Sequence, residues 1–173
     1  MKKLIIFCLA LILVAFTTTA IAGTKANMKE VSFQMQYDDI SVDDVDADLS
    51  TWVLAGKFGY FFTDNFAVGL GASYMSVEID SDELSTYMIG LEPNYYFNLN
   101  SGAVPYIGLN AGMVAWDFGF EDDSEFYYGA QIGILAFLTD WAAIDFQGRY
   151  TTYEIESTDV DDFALRVGLN VYF

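Results

Sequence analysis

The chain has 173 residues, 54% hydrophobic and 17% aromatic, with 25 acidic side chains against seven basic ones and a formal charge of −18. That composition excludes a disordered chain, and so negative a field repels nucleic acid. There is no histidine and the single cysteine is Cys8, which removes Ser-His and Cys-His nucleophiles and the histidine-bearing zinc sites.

Met1, Lys2 and Lys3 open the chain with positive charge, and Leu4 to Phe16 is an apolar run interrupted only by Cys8. Small residues follow and end Ala20-Ile21-Ala22. This order predicts a secretory signal peptide over residues 1–22, cleaved before Gly23. Phe7 stands where a lipoprotein carries a small residue before its modified cysteine, so Cys8 is expected to leave with the signal. Loss of Lys2 and Lys3 then takes the charge from −18 to −20.

Residues 23–173 are expected to form one domain. No apolar run in it reaches the roughly 18 residues that a membrane helix needs. The hydrophobicity is instead dispersed in short alternating segments, the period of a strand with one apolar face. The first is Val31, Phe33, Met35 and Tyr37 against Ser32, Gln34 and Gln36. The second sets Trp52, Leu54, Phe58, Tyr60 and Phe62 against Lys57 and Gly59, and Thr63-Asp64-Asn65 turns the chain. The third carries Phe66, Val68, Leu70 and Tyr74 opposite Gly69, Gly71 and Ser73. The fourth carries Tyr87, Ile89, Leu91, Tyr95 and Phe97 opposite Gly90, Glu92 and Asn94. After a turn over Asn98 to Ala103, the fifth places Ile107, Leu109 and Met113 against Gly108, Asn110 and Gly112. The sixth sets Tyr128, Ala130, Ile132, Ile134 and Leu138 against Gly129, Gln131 and Gly133, and Thr139-Asp140 is a tight turn. The seventh has Ile144, Phe146 and Tyr150 against Asp145, Gln147 and Arg149. The last has Phe163, Leu165, Val167, Leu169, Val171 and Phe173 against Arg166, Gly168 and Asn170.

Eight such segments predict an all-β fold: an eight-stranded antiparallel up-and-down transmembrane β-barrel, because only helices and closed barrels satisfy every backbone group in lipid. Aromatic residues near both ends of the segments, such as Phe62, Phe97 and Trp141 at one and Tyr74, Tyr128 and Phe163 at the other, suit two interfacial girdles. A soluble barrel with its apolar face inward is the competing reading. The small and polar opposite face, together with the girdles, favours lipid outside.

The connections alternate. Three are short, and four longer acidic segments carry 20 of the 25 acids: Asp38 to Asp48, Glu78 to Glu83, Asp117 to Glu125 and Glu154 to Asp162. Short periplasmic turns alternating with longer surface loops is the pattern of barrels in the outer membrane of Gram-negative bacteria. It predicts a negatively charged outer rim that attracts cations. Asp43, Asp44, Asp46 and Asp48 form an oxygen-rich candidate for Ca²⁺ or Mg²⁺. However, Leu49 and Ala55 stand where a calcium-binding EF-hand loop requires glycine and glutamate. Loose binding of these ions, bridging to lipopolysaccharide phosphates, is therefore expected ahead of a defined metal site, and no cofactor is expected.

Lys57, Glu92, Asp145, Arg149 and Arg166 are the charges in mid-strand, and all five fall on the inward face. Two readings stand for this lumen cluster: an internal plug, or a narrow cation path running past interior glycines that leave room for water.

The segments Phe58 to Tyr74, Pro105 to Gly112 and Ala164 to Phe173 resemble the small outer-membrane β-barrel proteins that include the OmpA transmembrane domain and the OmpX and OmpW groups. The resemblance implies export through the periplasm and insertion by the barrel-assembly machinery, with Leu169, Val171 and Phe173 as the C-terminal signal. It also implies a role in envelope integrity, surface interaction or small-solute passage. Barrel-embedded lipid-modifying enzymes typically use a histidine, so the expectation is a non-enzymatic, monomeric barrel with a structural or surface-interaction role, in contact with outer-membrane lipid and lipopolysaccharide. The alternative is a narrow cation-favouring, porin-like channel.

Overall fold

A computed structural model describes residues 23–40, 49–79, 82–99, 102–117, 122–155 and 158–173. The described residues form eight strands: β1 (Lys29–Ile40), β2 (Leu49–Phe61), β3 (Phe66–Ile79), β4 (Asp82–Tyr96), β5 (Ala103–Asp117), β6 (Asp122–Thr139), β7 (Ala142–Ile155) and β8 (Thr158–Tyr172). Each pairs antiparallel with the next, and β1 closes on β8, so the sheet is a barrel without edges.

The alternating pattern fixes which face is which. Phe33, Leu54 and Ile132 are exposed by 70%, 67% and 65% on the outside, whereas their polar neighbours Gln34, Lys57 and Gln131 are buried. A water-soluble barrel has the opposite arrangement, so the outer face is built for hydrocarbon. Exposed Phe62, Phe66, Phe97 and Trp141 gather at one end, and exposed Tyr74, Tyr87, Tyr128 and Phe163 towards the other. Two side-chain turns shape the first end. The Thr63 hydroxyl accepts from the amides of Asn65 and Phe66 (3.2 and 3.0 Å), and the Thr139 hydroxyl accepts from the Trp141 amide (3.3 Å). In both, threonine holds the chain reversal that aspartate follows.

The strands run further than the sequence suggests at the opposite end. The acidic segments are not simply loops: β3 continues to Ile79, β4 begins at Asp82, β6 at Asp122, β7 ends at Ile155 and β8 begins at Thr158. The ladders persist because each hairpin keeps its backbone groups paired, although aspartate and glutamate are poor strand formers. The result sets like charges directly opposite one another: Glu78 against Glu83, Asp117 against Asp122 and Glu154 against Asp159. In β6 the register shifts between Phe137 and Thr139. Just before it, Leu135, Ala136 and Phe137 are buried in succession, and Leu138 is exposed.

Candidate functional site: a filled lumen

An eight-stranded barrel is only wide enough for its own side chains to fill, and here they do so in layers. At the end with short turns, Phe61, Tyr96, Tyr106, Leu135, Phe137 and Tyr172 form a buried apolar floor. Their rings pack tilted or stacked: Phe61 to Tyr96 at 5.0 Å, Tyr96 to Tyr106 at 5.1 Å and Phe137 to Tyr172 at 5.2 Å between centroids. Such pairs add about 0.5–1.5 kcal/mol each beyond the area they bury.

Polar groups occupy the next level. Lys57 Nζ lies 3.1 Å from Glu30 Oε1, and the same oxygen accepts from Asn170 Nδ2 at 2.6 Å. The Tyr106 hydroxyl donates to Asp145 (2.9 Å to Oδ1) and accepts from Gln147 Nε2 (3.0 Å). Gln34 Nε2 donates to the other Asp145 oxygen at 3.3 Å, and Gln131 Nε2 donates to Asn94 Oδ1 at 2.7 Å.

Above these, Arg149 and Arg166 converge on one carboxylate. Arg149 Nη1 is 2.6 Å from Glu92 Oε1, and Arg166 Nη1 is 3.9 Å from the same atom. Arg149 Nε also donates to the Thr151 hydroxyl (3.2 Å), and its guanidinium lies 5.6 Å from the Tyr127 ring centroid. Tyr127 and Val114, backed by Met88 and Tyr153, form a smaller apolar cap at the acidic end. A void of about 10 Å³ lined by Gly71, Ser73, Met88, Glu92, Tyr127, Arg149 and Arg166 lies at this level. It has room for about one water molecule.

The structure thus divides the five sequence-predicted charges among three sites. Arg149, Arg166 and Glu92 meet; Lys57 pairs with Glu30; Asp145 is held by the neutral donors Tyr106 and Gln34. Glu30 lies outside the sequence-predicted set because the alternating pattern is clear only from Val31 onward. One further step of two along the Gln34–Ser32 face reaches it. The apolar floor left no such signal. Phe61, Tyr96 and Tyr172 are flanked by apolar neighbours at strand ends, so alternation is lost where it would have revealed them.

The interior glycines, where the sequence leaves room for a thin water path beside the plug, lie close against groups of other strands. Gly69, Gly71 and Gly133 make space for a long side chain from the neighbouring strand, whereas Gly112 and Gly129 abut backbone. A Cβ on Gly133 would lie 2.5 Å from the Tyr106 ring, one on Gly71 2.8 Å from Glu92 Oε1, and one on Gly69 2.8 Å from Lys57 Cδ.

Among the described residues, no three acidic side chains are grouped to hold a metal ion. Asp43, Asp44, Asp46 and Asp48 lie outside the described residues. Leu169 and Phe173 are exposed on the outer face and Val171 is half-buried. The Phe173 backbone closes the barrel through reciprocal bonds with Lys29 (2.8 and 3.0 Å).

An apolar exterior, aromatic girdles and a closed polar-filled sheet define a transmembrane β-barrel. The chain belongs to the outer membrane protein beta-barrel domain family, whose sequence profile matches residues 7–173. Comparison with curated protein sequences gave no match. Among solved structures, it is similar to Neisserial surface protein A (18% identity, TM-score 0.70, covering 84% of this chain and 97% of that one). It is also similar to Ail, the attachment invasion locus protein of Yersinia pestis (15%, 0.61, 86% and 99%). A third is the outer membrane protein OprG of Pseudomonas aeruginosa (16%, 0.62, 87% and 98%). At these identities the likeness is one of fold.

Proposed function

We infer that the protein is a sealed, non-enzymatic barrel of the outer membrane with a structural or surface-interaction role, exported after removal of residues 1–22. The observation that carries this reading is the filled lumen: an apolar floor, buried ion pairs and an apolar cap in series, with glycine space already taken by neighbouring side chains. Such a barrel offers its exterior and its strand ends, rather than a passage, to the surroundings. The lack of histidine supports a non-enzymatic role.

The acidic end is the surface available for interaction on the outer side. Its many acidic residues favour divalent cations loosely held there and shared with lipopolysaccharide phosphates. Outer-membrane lipid and lipopolysaccharide are then its neighbours, the barrel-assembly machinery its route in through Leu169, Val171 and Phe173, and a monomer its working form.

Conductance across planar bilayers tests the sealed barrel. The expected trace is silent, with and without Arg149→Met or Glu92→Gln. Regular cation-selective steps that change size in either variant would establish the narrow channel instead. For the acidic end, Mg²⁺ should strengthen association with lipopolysaccharide, and neutralising Asp43, Asp44, Asp46 and Asp48 should weaken that effect. Association indifferent to Mg²⁺ would remove the cation-bridging role.

A further inference from the structure

Residues Gly23–Met28 precede the first strand and belong to no sheet, yet they are bonded at almost every position. Thr24 is 3% exposed. Its hydroxyl donates to the Asp64 carbonyl at 2.5 Å, its amide donates to Asn98 Oδ1 at 3.2 Å, and its carbonyl accepts from Asn98 Nδ2 at 3.3 Å. Asn98 Nδ2 also donates to the Asp64 carbonyl at 2.7 Å, so one amide side chain ties two turns and the N-terminal segment together. The Ala26 amide donates to Asp64 Oδ1 at 2.8 Å. Asn27 then takes a left-handed conformation (φ 67°), which asparagine tolerates better than most residues. Its amide donates to the Phe61 carbonyl at 2.8 Å, and its side-chain oxygen accepts from the Tyr60 hydroxyl at 2.9 Å. Met28 packs against the apolar floor.

These contacts reach beyond strand neighbours. β1 already pairs with β2, but Asp64 lies in the β2–β3 turn and Asn98 in the β4–β5 turn. The segment is therefore a strap from the base of β1 to a turn three strands away. From Thr24 to Ala26 it is held by a few hydrogen bonds to the two turns, and only at Asn27 and Met28 by backbone bonds with Phe61 (2.8 and 2.9 Å).

We propose that Gly23–Met28 is a latch on this rim: a single cooperative unit, closed by the Thr24–Asn98–Asp64 clasp, that opens and recloses while the barrel stays folded. The physical reason is the mismatch in what holds each part. The strands are fastened by continuous ladders and a packed lumen, whereas release of one clasp frees the whole strap. Small cooperative units of this kind open at much lower free energy than the core that carries them. The latch does not depend on which side of the membrane this rim faces, or on whether the lumen conducts.

Amide hydrogen exchange on the refolded barrel in detergent micelles or lipid nanodiscs tests this. The amides of Thr24, Ala26 and Asn27 should exchange at one common rate, faster than the ladder amides of β1. Thr24→Val removes the clasp hydroxyl, which donates to the Asp64 carbonyl and accepts from Asn98 Nδ2 at 3.0 Å, while keeping its shape; it should speed all three together by roughly tenfold or more, about tenfold for each hydrogen bond lost, with ladder amides unchanged. Asn98→Ala should do the same. Trypsin cleavage after the exposed Lys25 should rise in parallel in both variants. Separate rates for the three amides, or rates unmoved by either variant, would show that there is no cooperative latch. Equal acceleration of the strand amides would show that the segment is merely part of the global fold.

Discussion

Arg149 and Glu92 face one another across the lumen, Nη1 2.6 Å from Oε1, although 57 residues separate them in the chain. Both side chains are nearly inaccessible, and Arg166 approaches the same oxygen from β8. Removing the carboxylate leaves two guanidiniums buried without their common partner, which costs about 3–5 kcal/mol. Glu92→Ala should therefore lower the urea midpoint for unfolding from lipid vesicles substantially, as followed by tryptophan fluorescence. Replacing all three groups at once, as Glu92→Leu, Arg149→Met and Arg166→Met, should recover most of the loss, because the desolvation penalty leaves with the charges.

Gly133 and Tyr106 form a close join between the apolar floor and the polar level above it. The Tyr106 hydroxyl is pinned by Asp145 and Gln147, so the ring cannot retreat from an added methyl group. Gly133→Ala should cost about 1–3 kcal/mol through overpacking. Tyr106→Phe in the same background should relieve part of it, since it removes both the pin and a hydroxyl oxygen that would itself lie 2.5 Å from the added carbon. Unfolding midpoints for the single and double variants measure both statements.

How far these contacts could be read from sequence differs by layer. Period-two alternation disclosed the outward face from Leu54, Leu70 and Ile132, because lipid requires apolar side chains there whatever lies inside. Parity alone turned Lys57, Glu92 and Arg149 inward. Their partners were not legible, since pairing depends on strand stagger and side-chain reach. Phe61 and Tyr96 were hidden for the opposite reason: near the interface both faces of a strand are apolar. The ladder at Glu78–Ile79 and Asp82–Glu83 was hidden by charge, which reads as loop even where a neighbouring strand keeps the backbone paired.

The outward face makes a depth-dependent prediction. Leu70 lies midway between Phe66 and Tyr74 on β3 and is exposed. Leu70→Arg should destabilise the inserted barrel by about 2–4 kcal/mol, the cost of a cation at the bilayer midplane. Glu125→Arg, at the exposed far end of β6, should stay within about 0.5 kcal/mol of the parent. Reversible unfolding in vesicles compares the two directly.

The opposed acids at the hairpin ends should behave as repulsive pairs. Glu78 and Glu83 share one register position of the β3–β4 ladder, so Glu78→Lys exchanges a like-charge pair of positions for an opposite-charge one, worth roughly 0.2–1 kcal/mol. Hydrogen exchange at the end of that hairpin should slow in the variant, and the gain should shrink at high salt, where exposed charges are screened.

The borrowing of glycine space has an evolutionary corollary. Gly71 and Glu92, Gly69 and Lys57, and Gly133 and Tyr106 each occupy one volume with two positions of the chain. Neither member is free to drift alone: a larger residue at the glycine demands a shorter one on the adjacent strand. Descendants of this sequence should inherit such positions as linked pairs, while lipid-facing sites such as Leu70 and Ile132 exchange one aliphatic residue for another independently.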